Sequence, residues 1–322
     1  MRITVALGGN ALLQAGQKGT VEEQLLNIRI ACKQLAQIAS NHDLVITHGN
    51  GPQVGKIHLQ NELAAEITPA MPLDVCGAMS QGQIGYLLQQ ELSGALAKLG
   101  TPREIAALIT RVVVDPRDPS FQNPTKPIGS FYSQADAAKF MQEKNETWIE
   151  DSGRGWRKVV PSPQPRRLVE EKTIKKLVES SCLVIASGGG GIPVIENRDG
   201  GYRGIEAVID KDLAGALLAE IVDAELFIIL TDVARVYLNY SKPNQQELRD
   251  IAVEELSAYA AAGHFAAGSM GPKVQAAIRF AAKEGRRAVI TSLDRVLEAL
   301  QGDAGTQVTA AGSLTAPFSR RS

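Results

Sequence analysis

The sequence predicts an α/β fold in which helices cover both faces of a mainly parallel sheet. Apolar segments of strand length alternate with amphipathic helical segments along nearly the whole chain. The strand segments are continuous apolar runs, such as "LFIIL" at 226–230, and they do not alternate polar with apolar residues. Strands of that kind are buried on both faces, as in parallel sheets whose strands are joined by crossover helices.

The first half of the chain begins at once with a strand, "ITVAL". A capping box formed by Thr20 and Glu23 then marks the start of the first helix, because each residue can satisfy a free backbone N–H of the other. Up to residue 114 the pattern predicts strands at 3–7, 43–47 and 105–114, and helices at about 21–40, 52–66 and 78–98.

The second half repeats the alternation after an interruption. The pattern predicts helices at about 167–180, 211–222, 252–262 and 271–284, and strands at 182–187, 226–230 and 287–291. Between 114 and 163 the rhythm breaks, since prolines, aromatic residues and charges fill a stretch with little helical period. We expect an inserted, protruding subdomain or lid there, within a single domain that spans 1–322.

Composition excludes several classes of protein. The 322 residues carry a formal net charge of −1 and include no basic block, which argues against a nucleic-acid-binding protein. No apolar run approaches the roughly 18 residues that a membrane span needs. Three widely separated cysteines in apolar contexts predict reduced thiols and a cytoplasmic protein. The four histidines lack metal-ligand spacing, so no protein metal site is predicted.

Glycine turns follow three of the predicted strands. Gly8 and Gly9 follow the first strand, Gly49 and Gly51 the second, and a run of four glycines begins at Gly188. Ligands of open α/β sheets bind at the carboxyl ends of strands, and glycine lets backbone N–H groups approach an anion. Any one of these runs could be a plain turn, but together they predict an anion site lined by backbone.

The usual nucleotide-binding signatures are absent from the sequence. No G-x-G-x-x-G follows a strand, and "GPQVGK" at 51–56 is one residue short of a P-loop between its glycines. A nicotinamide enzyme and an ordinary P-loop nucleotidase are therefore disfavoured.

Three lysines lie in unusual local contexts. Lys126 lies between two prolines, whereas Lys211 and Lys273 lie at predicted helix starts, where a cation is unfavourable unless an anion is bound. Such lysines could stabilise a transferring phosphoryl group, although each alone could be a solvated surface charge. Asp210 and Asp212 could cap the helix at 211, or Asp210 could hold the lysines in place.

Taken together, these motifs resemble the carbamate kinases of the amino acid kinase superfamily. The resemblance extends over about residues 3–310 and rests, in chain order, on "VALGGNALL", "THGNGPQVG", "PLDVCGAMSQGQIGYLLQQ", "NPTKPIGSFY", "GWRKVVPSPQP", "ASGGGGIPV", "VIDKDLAGALLA", "LTDVARVY" and "GSMGPKV". It implies a three-layer αβα sandwich with a mainly parallel open sheet, a small protruding subdomain and a homodimer. It also implies reversible phosphoryl transfer between ATP, with Mg²⁺, and carbamate, giving ADP and carbamoyl phosphate.

The resemblance also assigns roles to residues. It implies that the carbamate and γ-phosphate site is lined by Gly8, Gly9, Asn10, Gly49, Asn50, Gly51, Gly188 and Gly189. It implies that Lys126 and Lys211 neutralise the phosphoryl group while Asp210 orients the lysines. It implies that the nucleotide is held by Lys211, Asp232, Tyr237, Met270, Gly271 and Lys273.

The chemistry of carbamate agrees with these residues. Carbamate is already an anion, so its oxygen can attack phosphorus without a general base, and the first two glycine turns offer asparagines and no carboxylate. Two alternatives stay open, a kinase for another small carboxylate and a nucleotide- or carbamoyl-phosphate-binding sensor. The sequence does not choose among arginine, agmatine and purine-derived nitrogen breakdown, and the tail at 319–322 suggests no role.

Overall fold

Strands and helices alternate along the chain largely as the pattern predicts. The structure is a computed structural model that describes residues 1–14, 16–151, 153–266 and 268–311, so the tail at 319–322 falls outside it. The strands are β1 (Arg2–Leu7), β2 (Asp43–His48), β3 (Ile105–Ala107), β4 (Arg111–Val113), β5 (Lys126–Tyr132), β6 (Thr147–Glu150), β7 (Trp156–Val160), β8 (Arg167–Leu168), β9 (Leu183–Ile185), β10 (Ile192–Glu196), β11 (Tyr202–Gly204), β12 (Leu226–Thr231), β13 (Val236–Leu238), β14 (Gln246–Leu248), β15 (Asp250–Ala252), β16 (Arg287–Ser292) and β17 (Thr306–Thr309).

The helices cover the sheet and connect its strands. They are α1 (Val21–Ala39), α2 (Gly51–Leu63), α3 (Leu73–Lys98), α4 (Gln134–Lys144), α5 (Glu171–Glu179), α6 (Lys211–Ile221), α7 (Val253–Ala261), α8 (Met270–Ala281) and α9 (Val296–Gln301). Helix α1 begins with the predicted capping box, since the Thr20 hydroxyl accepts from the Glu23 N–H at 3.3 Å and the Glu23 carboxylate accepts from the Thr20 N–H at 3.1 Å.

The central sheet is open and mainly parallel. Its strand order is β15-β17-β16-β12-β1-β2-β9-β3, and β16 with β17 forms its antiparallel pair. In β1, Val5 belongs to the hydrophobic cluster that contains side chains of α1 and α3, whereas Ala6 belongs to the cluster with α6 and α8. Burial of β1 on both faces confirms the predicted three-layer α/β architecture.

Among the predicted elements, the helix predicted at 78–98 begins earlier, at Leu73, and two other elements differ in their strands. The strand predicted at 105–114 is two strands, with β3 at the edge of the central sheet and β4 in a second sheet ordered β11-β10-β4-β8. The helix predicted at 167–180 begins later, at Glu171, because Arg167 and Leu168 pair with β4 as the short strand β8. Both differences arise from strand pairing between distant segments, which local periodicity does not report.

The Pro-rich interruption contains a small unit of its own, residues 126–160, which we call the insert. Strands β5, β7 and β6 form an antiparallel sheet, and Tyr132, Phe140 and Trp148 pack together with ring centroids 5.2–5.4 Å apart. Although the sequence here has little helical period, the insert contains the helix α4, begun by the Ser133 cap. Only Ala137 of α4 is buried, so the helix has almost no apolar period.

A narrow apolar contact joins the insert to the rest of the molecule. Ile128 and Val160 of the insert pack against Val54 of α2 and against Leu73 and Cys76 of α3. Within the described part of the chain, no helix combines the length and apolar character that a membrane crossing requires.

Candidate active site

The three glycine turns lie side by side at one edge of the central sheet. They follow β1, β2 and β9, which are neighbours in that sheet, and open onto a cleft of about 340 Å³. The cleft is lined, among others, by Gly8, Gly9, Gly49, Asn50, Gly51 and Gly189. The backbone of Asn10 lies in the short 3-10 turn Gly9–Ala11, and its side chain falls outside the described atoms.

Backbone conformation and close packing require glycine within the run of four glycines, in addition to the space that the cleft needs. Gly189 and Gly190 have φ of +66° and +93°, a region that other residues rarely adopt. A side chain on Gly189 would overlap the Asn50 amide, and one on Gly190 would overlap the Ile209 carbonyl. Gly188 does not line the cleft, and its carbonyl accepts a hydrogen bond of 2.9 Å from Gln81 Nε2.

Gly49 contributes space to the site, and its backbone N–H is not free to bind a ligand. Its N–H donates to the Leu7 carbonyl at 3.1 Å, and a Cβ there would lie 3.2 Å from Cδ of Lys211. Glycine at 49 therefore lets the Lys211 side chain pass close to the backbone of the turn.

Buried polar side chains hold the turns from behind. Asn50 Nδ2 donates to Ser80 Oγ at 2.8 Å, and Gln81 Oε1 accepts from the Thr110 N–H at 2.8 Å. His48 is 2% exposed, and burial lowers its pKa to about 4 although its hydrogen bond with the Gly49 carbonyl opposes the shift. The imidazole is therefore neutral at pH 7, and Nδ1 donates to that carbonyl at 2.9 Å.

Two lysines and one carboxylate form a buried cluster at the start of α6, which we call the floor of the cleft: Lys211, Asp212 and Lys273. Asp212 Oδ1 lies 2.6 Å from Lys211 Nζ, and Oδ2 lies 2.9 Å from Lys273 Nζ. The Asp212 side chain is 3% exposed, and burial alone would raise its pKa, but the two ammonium groups lower it to about 2. Burial is the main cause that lowers the pKa of Lys211, with Asp212 opposing the shift.

Asp210 connects the insert to the start of α6. As the N-cap of the helix, its Oδ1 accepts the N–H groups of Asp212 at 2.9 Å and Leu213 at 3.4 Å. Its Oδ2 accepts from Lys126 Nζ at 3.0 Å. One carboxylate thus fixes a helix start and, across the cleft, the lysine that the insert supplies.

The resemblance implies that Asp210 orients the lysines, but in the structure two aspartates share this role. Asp210 pairs with Lys126, whereas Asp212 pairs with Lys211 and Lys273. The sequence left open whether Asp212 caps the helix or has a functional role, and it named no partner for the carboxylate. Its position next to Lys211 was the available signal, but its contact with Lys273, 61 residues away, was not readable from the chain.

The residues expected to hold a nucleotide are not all found in the cleft. Asp232, at the end of β12, lines the cleft, and so does Lys273. Tyr237 lies on β13 with its ring 5.9 Å from that of Tyr240, and Met270 packs against the core cluster, so neither lines the cleft. Gly271 follows Met270 at the start of α8 and is also outside the lining.

One charged residue of the cleft was not named from the sequence. Arg157, on β7 of the insert, lines the cleft beside Lys126. It lies in the quoted motif "GWRKVV", and strand alternation there was a usable signal, since Arg157 and Lys158 must face opposite sides.

Comparison with known proteins identifies relatives that match nearly the whole chain. The model of the amino acid kinase family matches residues 1–292. A carbamate kinase of Thermococcus kodakarensis is 55% identical over 311 residues, covering 95% of this chain and 98% of the relative. One from Trichomonas vaginalis is 51% identical, covering 96% and 99%. The solved structure of a Giardia lamblia carbamate kinase bound to AMP-PNP aligns with a TM-score of 0.90 and 45% identity, covering 96% and 98%.

Proposed function

The chain belongs to the amino acid kinase family, and we propose that it catalyses reversible phosphoryl transfer between ATP and carbamate, giving ADP and carbamoyl phosphate. The observation that carries this function is the near-complete coverage, at 55% identity, of relatives that are carbamate kinases. The cleft supports it, because it combines glycine turns with Lys126, Lys211 and Lys273, the cations that phosphoryl transfer needs.

We propose that catalysis rests on position and charge. An oxygen of carbamate attacks the γ-phosphorus of ATP as the bond to the ADP oxygen breaks, and in reverse ADP attacks carbamoyl phosphate. The transferring group carries its negative charge on three oxygens, so ammonium groups fixed around it lower the barrier. Lys126 and Lys211 take that role, Asp210 and Asp212 hold the lysines, and no side chain has to remove a proton from carbamate.

The acceptor group and the nucleotide are proposed to lie at the two ends of this cleft. The small substrate lies against Gly8, Gly9, Asn10, Gly49, Asn50, Gly51 and Gly189, whereas Gly188, which the family motif also assigns, lies outside the lining of the cleft. The nucleotide lies against Lys211, Asp232, Tyr237, Met270, Gly271 and Lys273. Of these residues, Lys211, Asp232 and Lys273 line the cleft, whereas Tyr237, Met270 and Gly271 are assigned through the family motifs alone.

Magnesium is proposed to enter with the nucleotide. Among the residues that the structure describes, no group of three or more His, Cys, Asp or Glu side chains could hold a metal ion. The site therefore fits an ion carried mainly by the phosphates of ATP or ADP, which is common for Mg²⁺. The ion would add positive charge at the phosphates, next to that of Lys211 and Lys273.

The first experiment measures ATP formation from ADP, Mg²⁺ and carbamoyl phosphate by the purified protein. A folded Lys211→Ala variant is the control, since it removes one ammonium from the floor. Robust activity that the variant loses supports both the reaction and its charge-based mechanism. An inactive wild-type protein that still binds ADP contradicts the proposed acceptor, and a screen of small carboxylates and a test for a binding-only role then follow.

We propose that the inserted subdomain predicted at 114–163 closes over the substrates as a lid. Lys126 belongs to a small separate sheet, and its 3.0 Å pair with Asp210 spans the cleft. Lids that carry a catalytic residue exclude water as they close. We expect slower hydrogen exchange across 115–160 when ADP and carbamoyl phosphate bind, and unchanged exchange there argues against a lid.

We further propose a cytoplasmic homodimer. Val75, Met79 and Tyr86 form an exposed apolar row on α3, which packs beside the edge strand β3, and such a face favours a partner. Met79→Glu should convert a dimer to monomers in light scattering, whereas Leu26→Glu, at an exposed position of α1, should not. The free thiols of Cys32, Cys76 and Cys182 fit a reducing compartment.

A further inference from the structure

Arg157 is a second cation that the insert presents to the cleft. It lies on β7 and lines the cleft together with Lys126, Pro127 and Ile128 of β5. The pairing of β5 with β7 is irregular between Ile128 and Tyr132, opposite Arg157. Irregular pairing of this kind redirects a side chain, and it is frequent beside active sites.

Lys158, next to Arg157 in the chain, is a cation whose ion pairs are purely structural. Lys158 faces the other side of β7 and pairs with Glu146 at 3.0 Å and Glu206 at 2.7 Å. Two carboxylates thus surround that ammonium, and one of the two contacts joins the insert to the rest of the molecule. These two carboxylates balance the charge of Lys158, so its position needs no bound ligand to explain it.

Arg157 is held differently from Lys158. Nη1 of Arg157 donates to Asp151 Oδ2 at 3.1 Å, and the guanidinium lies 5.1 Å from the centre of the Phe131 ring. Arg154 uses the same two groups, with 3.3 Å to Asp151 Oδ1 and 4.8 Å to the ring. One carboxylate therefore serves two guanidinium groups.

Part of the hydrogen-bonding capacity of Arg157 is unused. Within the described residues, its Nε–H is buried without a hydrogen-bond partner, although the side chain as a whole is 21% exposed. A buried donor without a partner is rare and costs stability, so Arg157 is held here at a cost, and it is the exposed part of the guanidinium that a ligand in the cleft can reach. Guanidinium N–H groups match the oxygens of carboxylates and phosphates.

We propose that Arg157 binds oxygens of carbamoyl phosphate on the side of the cleft formed by the insert. This inference rests on the proposed carbamate kinase reaction. Asp151 and the Phe131 ring hold the guanidinium in position, which leaves N–H groups for the substrate. The guanidinium donates to oxygens of intact carbamoyl phosphate and takes no part in breaking its bonds. Its main contribution is therefore to the affinity for this substrate.

The test compares Arg157→Met with the matched control Arg154→Met. Both changes remove a guanidinium from the same ring and the same carboxylate, but Arg154 is 63% exposed and does not line the cleft. Steady-state rates of ATP formation, with carbamoyl phosphate and ADP varied separately, give one KM for each substrate. Arg157→Met should raise the KM for carbamoyl phosphate roughly 10- to 100-fold, the effect of losing a charged hydrogen bond.

The same variant should leave the KM for ADP within about twofold, and Arg154→Met should leave both constants within about twofold. Arg157→Lys, which keeps the charge, should recover part of the lost affinity. An unchanged KM for carbamoyl phosphate in Arg157→Met, or an equal rise in Arg154→Met, overturns the role of Arg157 while the proposed reaction stands. A wild-type protein that makes no ATP from carbamoyl phosphate contradicts the reaction and the inference together.

Discussion

The floor of the cleft and the insert both supply cations, but the fold holds them in different ways. On the floor, Lys211 and Lys273 are 16% and 14% exposed and share the buried Asp212 at the start of α6. In the insert, Lys126 is 33% exposed and belongs to a three-stranded sheet joined to the body by a small apolar contact. The lysines of the floor are therefore part of the folded core, whereas we expect that Lys126 can be removed at little cost in stability.

The largest effect is expected when the shared carboxylate of the floor is neutralised. Asp212→Asn leaves two neighbouring lysines without a counter-charge, so the free energy of unfolding should fall by about 3–5 kcal/mol. Phosphoryl transfer should fall more than about 100-fold as the lysines move away from the phosphates. Urea denaturation and ATP-formation assays measure the two losses. Asp303→Asn makes the same chemical change at an exposed position and should have neither effect.

Removing the lysine of the insert should separate activity from stability. Lys126→Met should lower kcat roughly 100- to 1,000-fold, because one cation at the transferring group is lost. The free energy of unfolding should change by less than about 1 kcal/mol, as for other partly exposed ion pairs. Lys139→Met, which removes an exposed lysine of the same unit, serves as control. A large loss of stability in Lys126→Met would show that the two regions are not held differently.

Two glycine variants test how tightly the glycine turns beside the floor are packed. Gly200 has φ of +82°, and no other atom lies within 4 Å of the position that a Cβ would take there, so Gly200→Ala should cost only the backbone strain, about 1 kcal/mol. Gly189→Ala adds an overlap with Asn50, and the loss should reach about 3 kcal/mol. Urea denaturation of both variants gives the difference. Equal losses mean that the turns are not packed against each other as tightly as the distances indicate.

The last prediction, smaller in effect than Asp212→Asn, is a pH dependence that originates at His48, behind the glycine turns. The pKa of His48 is about 4 in the folded protein, below its value near 6.5 in an unfolded chain. The unfolded state therefore binds more protons between these values, and stability is lost as the pH falls. His48 should contribute about 2 kcal/mol of destabilisation between pH 7.5 and pH 4.5. His48→Asn should show a flatter pH profile by that amount, and an equally steep profile contradicts this assignment.

Local sequence determined most of the fold. Strand β12 is a continuous apolar run, α1 starts at its capping box, and glycines follow β1, β2 and β9, so the sheet edge that carries the cleft was predictable. These features are readable because strand burial, helix capping and turn geometry depend on residues close together in the chain. The motifs that resemble carbamate kinases pointed in advance to the relatives that the comparisons identified.

Tertiary structure alone decided which groups meet. Lys126 reaches Asp210 across 84 residues, and Lys273 reaches Asp212 across 61. The need for glycine at 189 follows from Asn50, which lies on another turn. Arg157 of β7 lines the cleft beside Lys126 of β5, and these two residues are brought together by the pairing of the two strands. A charge or a glycine can be recognised locally, but its partner is set by the packing of distant segments, because electrostatic and steric interactions act through space and not along the chain.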